Sequence, residues 1–206
     1  MEGNIQDKVK EIKSCFRLYM NGVVSQSMRE KGLGYKINWG IGLPELKSIA
    51  ARYGKDYDLA IELWNEDIRE CKILATLIMP ALQMKFDLVE LWVSQIQNQE
   101  IAEMSAFNLF QYVPDAKDLA FKWISSEQTL VLLCGYNVLA RLFAKGVELE
   151  EREKNEFIDQ AQATYDGADT IVRHAVSNAV RRFGGMNDTH MRIMKSAFKT
   201  YDLDIF

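Results

Sequence analysis

The chain has 206 residues, of which 48% are hydrophobic and 26% charged, so it is a globular protein of about one domain's length and not a disordered one. Its formal net charge of −4 excludes a polycation that would bind nucleic acid over its whole surface. Only 3 prolines and 12 glycines occur, which favours long helices over short strands and turns.

Apolar residues recur with helical spacing through most of the chain, and no long stretch alternates with a period of two. In chain order, the clearest stripes lie at residues 9–19, 59–64, 73–78, 89–96, 102–110 and 171–183. Glycine, proline and polar breaks separate these stripes. The pattern predicts an all-α protein of about twelve helices and no sheet of three or more strands. Periodicity alone leaves a helical bundle and a solenoid open.

The cysteines, the N-terminal residues and the longest apolar run together predict a cytoplasmic protein. Cys15, Cys71 and Cys134 are odd in number and far apart, so reduced, buried thiols are expected and not disulfides. Residues 1–8 lack the apolar core of a signal peptide. The longest apolar run, residues 130–142, is too short to span a bilayer and fits a buried helix. No membrane association is expected.

Charge is unevenly distributed along the chain. Residues 1–52 carry nine Lys/Arg against five Asp/Glu, whereas residues 53–170 carry ten against twenty-one. Residues 171–200 again carry six basic residues against a single acid, Asp188. The basic ends are typical of a footprint for phosphates, although a solvated helix face that balances the acidic middle explains them equally well.

A motif in the first third of the chain resembles a known family. Its first part reads, in order, Trp39, Gly40, Ile41, Gly42, Leu43, Pro44, Glu45, Leu46 and Lys47. Residues 60–64 then end in Leu-Trp, and Arg69 with Glu70 opens an apolar helix. The pattern is similar to that of the AlkD-like DNA alkylation repair family, the HEAT-like alkylpurine DNA glycosylases. The resemblance runs, with gaps, over most of the chain.

The resemblance implies one domain over residues 1–206. Its fold would be an α-solenoid of about six antiparallel HEAT-like helix pairs, curved with a concave face. Trp39, Trp64 and Trp92 lie on apolar stripes and match none of the family's lesion-facing tryptophans. We therefore expect all three to be substantially buried.

The positions that carry the family's chemistry are replaced. A Trp-Asp-x-x-Asp stretch places a tryptophan at the position of Gln99 and the catalytic aspartate at the position of Glu103. The second tryptophan of the family falls on Asn178, while the arginine three residues later survives as Arg181. The family's Trp-x-Arg-Arg stretch, which contacts backbone phosphate, matches residues 129–134, which carry no charge.

The replacements predict inefficient base excision. Release of a cationic alkylpurine needs one carboxylate to stabilise the oxocarbenium-like sugar. Glu103 keeps the charge, but its extra methylene displaces the carboxylate, and a shift of about 1 Å costs on the order of 100-fold. Losing both aromatic faces removes cation–π attraction of about 0.5–2 kcal/mol each. Glu103 is also explained as an acid that serves the dipole at a helix N-terminus.

The predicted function is sequence-independent binding to the backbone of duplex or branched DNA in an alkylation-repair context. The residues expected to carry it are Gln99, Arg173, Asn178, Arg181, Arg182 and Lys195, with Glu103 the candidate catalytic residue. The alternatives are a scaffold whose concave groove holds a protein partner, and a weak DNA glycosylase that uses Glu103. No cofactor or metal is expected, because no zinc spacing, phosphate-binding loop or dinucleotide fingerprint occurs.

Overall fold

A computed structural model describes residues 4–201 of the protein. Twelve α-helices and two short 3₁₀ helices account for most of these residues. The α-helices are α1 (Ile5–Tyr19), α2 (Gly22–Glu30), α3 (Leu43–Tyr53), α4 (Tyr57–Asn65), α5 (Arg69–Ile78), α6 (Phe86–Ser94), α7 (Gln99–Asn108), α8 (Ala116–Ile124), α9 (Thr129–Ala144), α10 (Glu151–Gly167), α11 (Thr170–Gly184) and α12 (Asp188–Ala197). The 3₁₀ helices are Ala81–Gln83 and Phe110–Tyr112.

The all-α prediction is confirmed within residues 4–201. Extended pairing there is limited to one isolated bridge between Ile37 and Ile68. Short polar residues define where many helices begin, because their side chains accept a hydrogen bond from an otherwise unpaired N–H of the first turn. The residues that cap helices in this way are Asn4, Asn21, Asp56, Asn98, Asp169 and Asn187.

The chain divides into two compact units, an N-terminal unit of residues 1–86 and a C-terminal unit of residues 87–206. In the N-terminal unit, α5 packs against α3 and α4, and α4 also packs against α1. Ion pairs Lys8–Asp56, at 2.7 Å, and Lys13–Glu66, at 2.9 Å, join α1 to the two ends of α4. The two helices therefore run in the same direction. The prediction of a single domain stays a prediction.

A buried carboxylate organises the N-terminal unit. Glu70 is completely buried in the first turn of α5 and accepts hydrogen bonds from the backbone N–H groups of Trp39, at 3.2 Å, and Ile41, at 3.3 Å. Arg69 places Nη1 3.0 Å from the Glu70 carboxylate and 2.9 Å from the Ile41 carbonyl oxygen. The loop between α2 and α3 is thereby fixed to the start of α5. This contact explains the sequence motif, because the loop and the acid form one polar cluster.

The same loop approaches the start of α2 more closely than a side chain would allow. Gly40 has φ +70°, and a Cβ atom there would lie 2.2 Å from the Asn21 carbonyl oxygen and 2.8 Å from the Ser25 nitrogen. Asn21 donates its N–H to the Trp39 carbonyl at 2.8 Å, and Ser25 Oγ donates to the Asn38 carbonyl at 2.8 Å. Glycine is therefore required at position 40 for both conformation and space.

In the C-terminal unit, α9 packs against α7, α8 and α11. The Cys134 thiol lies 3.8 Å from the Ala102 carbonyl, and Arg141 lies over the Phe107 ring, so α7 and α9 run in the same direction. Tyr136 donates to Thr164 at 3.0 Å while Phe143 packs against Phe157, so α9 and α10 are antiparallel. Helix α9 thus repeats the direction of α7 and is antiparallel to α10, as expected for helix pairs in series.

Three phenylalanines form the centre of this unit. Phe143, Phe157 and Phe183 come from α9, α10 and α11, and their ring centroids lie 5.0–5.6 Å apart in tilted or edge-to-face contacts. Aromatic pairs in such geometries contribute about 0.5–1.5 kcal/mol each beyond their burial. All three rings are fully buried. The cluster therefore holds the last turns of α9 and α11 together.

Two expectations about burial hold only in part. Trp64 and Trp92 are 1% exposed, but Trp39 is only half-buried because its ring lines a surface cavity. Cys71 and Cys134 are buried, and desolvation raises the pKa of both thiols well above the usual range. Cys15 is also a free thiol but is only half-buried, and its sulfur lies 3.9 Å from Nη1 of Arg52 on α3.

Replacing Glu70 by alanine should lower the free energy of unfolding by about 3–5 kcal/mol, because the buried Arg69 guanidinium and the backbone N–H groups of Trp39 and Ile41 all lose this carboxylate. Urea unfolding followed by circular dichroism measures the change. The matched control is Glu127→Ala, which removes an exposed acid and should cost less than about 0.5 kcal/mol. A loss below about 1 kcal/mol in Glu70→Ala would show that the loop does not depend on this carboxylate.

Candidate nucleic-acid interface

The candidate catalytic residue lies on the first turns of α7 and is already hydrogen-bonded. Gln99 Nε2 donates to Glu103 Oε1 at 2.7 Å, across one turn of the helix. Both side chains are half-buried. The structure therefore brings Gln99 and Glu103 together, but the contact occupies one carboxylate oxygen with an amide of the same helix.

The first turns of α9 are apolar and partly open. Leu130, Val131 and Leu132 are half-buried, and residues 129–134 contain no ionisable group except the buried Cys134 thiol. This part of the helix offers no donor with a positive charge. Residues 129–134 therefore supply no charged ligand for a phosphate.

The six lysines and arginines of residues 171–200 lie in different environments. Arg173, near the start of α11, donates from Nε to the Tyr165 carbonyl at 3.0 Å and stacks over the Tyr165 ring at 5.4 Å. It thereby binds the C-terminal end of α10, where a cation is favoured by the helix dipole. Lys195 lies exposed on α12, and Asn178 is half-buried on α11, one turn before Arg181.

Arg181 and Arg182 line one cavity of about 380 Å³ at the C-terminal end of α11. Its other walls come from the ends of α9 and α11 and from the segments that follow them. They are Phe143, Ala144, Gly146, Glu148, Gly185 and Met186. Several of these residues are small, so the backbone of a ligand could approach closely. A cavity with two guanidinium groups is suited to phosphate, which arginine binds with two parallel hydrogen bonds.

Neither arginine is neutralised within residues 4–201. Both side chains are exposed, and neither makes an ion pair or a side-chain hydrogen bond to a described residue. Glu148, the one carboxylate that lines the cavity, lies instead 3.5 Å from the ring of the buried His190. The dipole of α11 stabilises a cation in this last turn by about 0.3–1 kcal/mol. It leaves the outward N–H groups of both guanidinium groups unused.

Two further cations at the end of α9, Arg141 in its last turn and Lys145 directly after the helix, were not predicted from the sequence. Arg141 lies 4.4 Å from the centroid of the Phe107 ring, and Lys145 lies 3.8 Å from that of the exposed Tyr112 ring. Partial burial of its amine lowers the pKa of Lys145. The spacing of four residues between the two cations, about one helical turn, was the available signal. Both are held by aromatic faces.

The predicted residues thus fall into separate groups. Gln99 and Glu103 form one pair on α7, and Arg181 and Arg182 form another on α11. Helix α9 packs against both helices. Arg173 is bound to the end of α10 and is not part of the arginine cavity. The concave face stays a prediction.

The described part of the chain has neither a metal-binding cluster nor a membrane-spanning helix. Residues 4–201 contain no group of three or more histidine, cysteine and acidic side chains placed to hold a metal ion. None of the helices there combines the length and the apolarity that crossing a bilayer requires.

A family model described as DNA alkylation repair enzyme matches residues 22–193, which is most of the chain. The chain belongs to the DNA alkylation repair enzyme family. The match covers the loop bound by Glu70, both members of the Gln99–Glu103 pair and the arginine cavity of this family member. The family resemblance noted from the sequence motif is thereby confirmed.

A solved structure has the same fold. It is described as a new family of proteins related to the HEAT-like repeat DNA glycosylases with affinity for branched DNA structures. It superposes with a TM-score of 0.82 at 15% sequence identity, over 92% of this chain and 81% of the other. At that identity the match establishes the HEAT-like repeat fold of this family member. The comparison with curated proteins returned no significant match.

Proposed function

We propose that this protein binds DNA through its sugar–phosphate backbone, independently of sequence, with Arg181 and Arg182 as the principal phosphate ligands. The observation that carries the proposal is the cavity in which these two arginines are exposed and unpaired within residues 4–201. Most of the neighbouring cations, by contrast, already have a partner. Backbone contacts of this kind supply affinity without reading bases.

Branched DNA is the proposed preferred form. The structurally similar protein is described as having affinity for branched DNA structures, which supports the proposal by likeness of fold. A physical argument points the same way. Two adjacent guanidinium groups can bind phosphates of two strands where these converge, and phosphate density is highest at such a branch.

Base excision is proposed to be absent or very weak. The Gln99 and Asn178 side chains cannot offer a π face to a cationic purine. The Glu103 carboxylate accepts a hydrogen bond from Gln99 within its own helix, which favours the orientation of a helix-surface acid. This hydrogen bond within the helix competes with the orientation towards a sugar on which stabilisation of an oxocarbenium ion depends.

Binding to duplex DNA should be weak to moderate and should fall steeply as salt rises, with a log–log slope near −0.9 per neutralised phosphate. Replacing Arg181 and Arg182 together by alanine should weaken binding by about tenfold or more at about 50 mM salt and flatten the slope by up to about two units. Fluorescence anisotropy with duplex and four-way-branched oligonucleotides over a range of salt measures both quantities.

The control is the double variant Arg152→Ala with Arg192→Ala. It removes the same total charge from two exposed arginines that do not line the cavity, on α10 and α12. It should bind DNA nearly as the wild type does. Equal losses in the two double variants would attribute binding to net charge and not to the cavity. Absence of any binding at about 50 mM salt would instead favour the scaffold with a protein partner.

Release of methylated purine from alkylated duplex DNA should be undetectable or far below that of a family member with both tryptophans and the aspartate. If slow release is measured, Glu103→Gln should abolish it and leave DNA affinity within about twofold, because the substitution keeps the size and removes only the charge. Chromatographic quantification of free base measures the release. Strong turnover that Glu103→Gln does not change would refute the assignment of this carboxylate and the inactivity proposed with it.

A further inference from the structure

An exposed aromatic ring lies at the same end of α9 as the arginine cavity. Tyr112 is the last residue of the 3₁₀ helix that follows α7, and its exposed fraction is 51%. A single exposed aromatic residue is common on protein surfaces and does not by itself indicate a binding site. Tyr112 differs from such a residue because a cation lies over its ring, with Lys145 Nζ 3.8 Å from the ring centroid.

The ring of Tyr112 is held in place and is covered on one side only. The preceding residues Phe110 and Gln111 are buried, and the Tyr112 N–H donates to the Leu109 carbonyl at 2.8 Å. The Lys145 ammonium lies over one face of the ring and 3.5 Å from the Gln111 carbonyl oxygen. Since that face is covered, the accessible half of the side chain is mainly the opposite face and the hydroxyl edge. The structure therefore presents one open π face to solvent.

A second pair of cation and aromatic ring continues this surface. Arg141 lies 4.4 Å from the centroid of the Phe107 ring. Arg141 and Lys145 are four residues apart, so their side chains are neighbours. Sites for single-stranded nucleic acids combine these two kinds of group, because cations bind the phosphates while aromatic rings stack with the bases. The end of α9 has both kinds.

The aromatic surface is continuous with the arginine cavity. Lys145 stands in the chain between Ala144 and Gly146, and both of these residues line that cavity. The Tyr112 ring and the two arginines are thus separated by the end of α9, a distance of about one helix diameter, ~10–12 Å. A few nucleotides of one strand span this distance. A strand with phosphates bound in the cavity could therefore bring a base of its own to Tyr112.

We propose that the open face of Tyr112 is a stacking site for an unpaired base in a single-stranded segment of the bound DNA. The inference rests on the proposed function, because the arginines bind the phosphates of the same strand. In a duplex both faces of each base are covered by its neighbours, so only an unpaired base can reach the ring. The site therefore selects branches that include a single-stranded flap or gap over fully paired ones.

Three labelled DNA probes test the site. They are a blunt duplex, the same duplex with a single-stranded extension of about six nucleotides, and the same extension built from abasic residues. Both extended probes are made with either polarity. They carry equal numbers of phosphates, so a difference between them comes from the bases.

The wild type should bind the extension with bases about tenfold more tightly than the abasic extension in at least one polarity, as stacking of one base provides. Fluorescence anisotropy at about 50 mM salt measures the affinities. Equal affinities for the two extensions in both polarities overturn the proposal.

Tyr112→Leu should reduce this preference to less than about twofold, because leucine keeps an apolar side chain but has no π face. Tyr112→Phe keeps the ring and should keep the preference. The matched control is Tyr57→Leu, which removes an exposed tyrosine of the N-terminal unit and should leave the preference unchanged. A full preference in Tyr112→Leu would show that the bases stack elsewhere and would overturn the assignment.

The double variant Arg181→Ala with Arg182→Ala separates this inference from the proposed function. It should weaken binding to both extended probes in parallel and leave the ratio of their affinities unchanged. Binding that depends on the two arginines but shows no preference for bases would overturn the stacking site alone. Absence of binding to every probe would overturn both proposals.

Discussion

The buried carboxylate of Glu70 is the interaction on which the N-terminal unit depends. It lies at the start of α5, where the helix N-terminus favours a negative charge, and it accepts hydrogen bonds from two backbone N–H groups and from Arg69. The cost of burying this acid is offset only when all of these donors are in place. The loop between α2 and α3, Glu70 and Arg69 must therefore reach their native contacts together. These contacts also fix the position of Trp39, which lines a surface cavity.

In the C-terminal unit, the function proposed for the protein rests on which cations remain unpaired. Arg141 and Lys145 are held by the rings of Phe107 and Tyr112, and Arg173 is held by the end of α10. A protein with net charge −4 can thus present a local basic surface while other cations of the same unit contact aromatic rings or a helix end. Counts of charged residues along the sequence cannot tell paired cations from unpaired ones, whereas the distances in the structure can.

The helices and the local pairs were predictable from the sequence, whereas the composition of the site was not. The stripe at residues 171–183 predicts α11, and spacing by one turn predicts that Gln99 can contact Glu103. No local pattern, however, tells Arg173 from Arg181, because the difference lies in where α10 ends. The partial exposure of Trp39 likewise depends on the space that α2 leaves beside it. These outcomes are decided by tertiary contacts between segments distant in the sequence.

The uneven surface of α9 has a consequence for how a nucleic acid can approach. The helix begins with half-buried Leu130, Val131 and Leu132, and its one cation, Arg141, lies in the last turn, with Lys145 directly after the helix. A phosphodiester laid along its whole length would give up hydration at the apolar end without any counter-charge in return. A strand that crosses α9 near its end avoids this cost. In the proposed DNA interface, α9 therefore acts as a directional boundary that restricts a polyanion to one margin of the C-terminal unit.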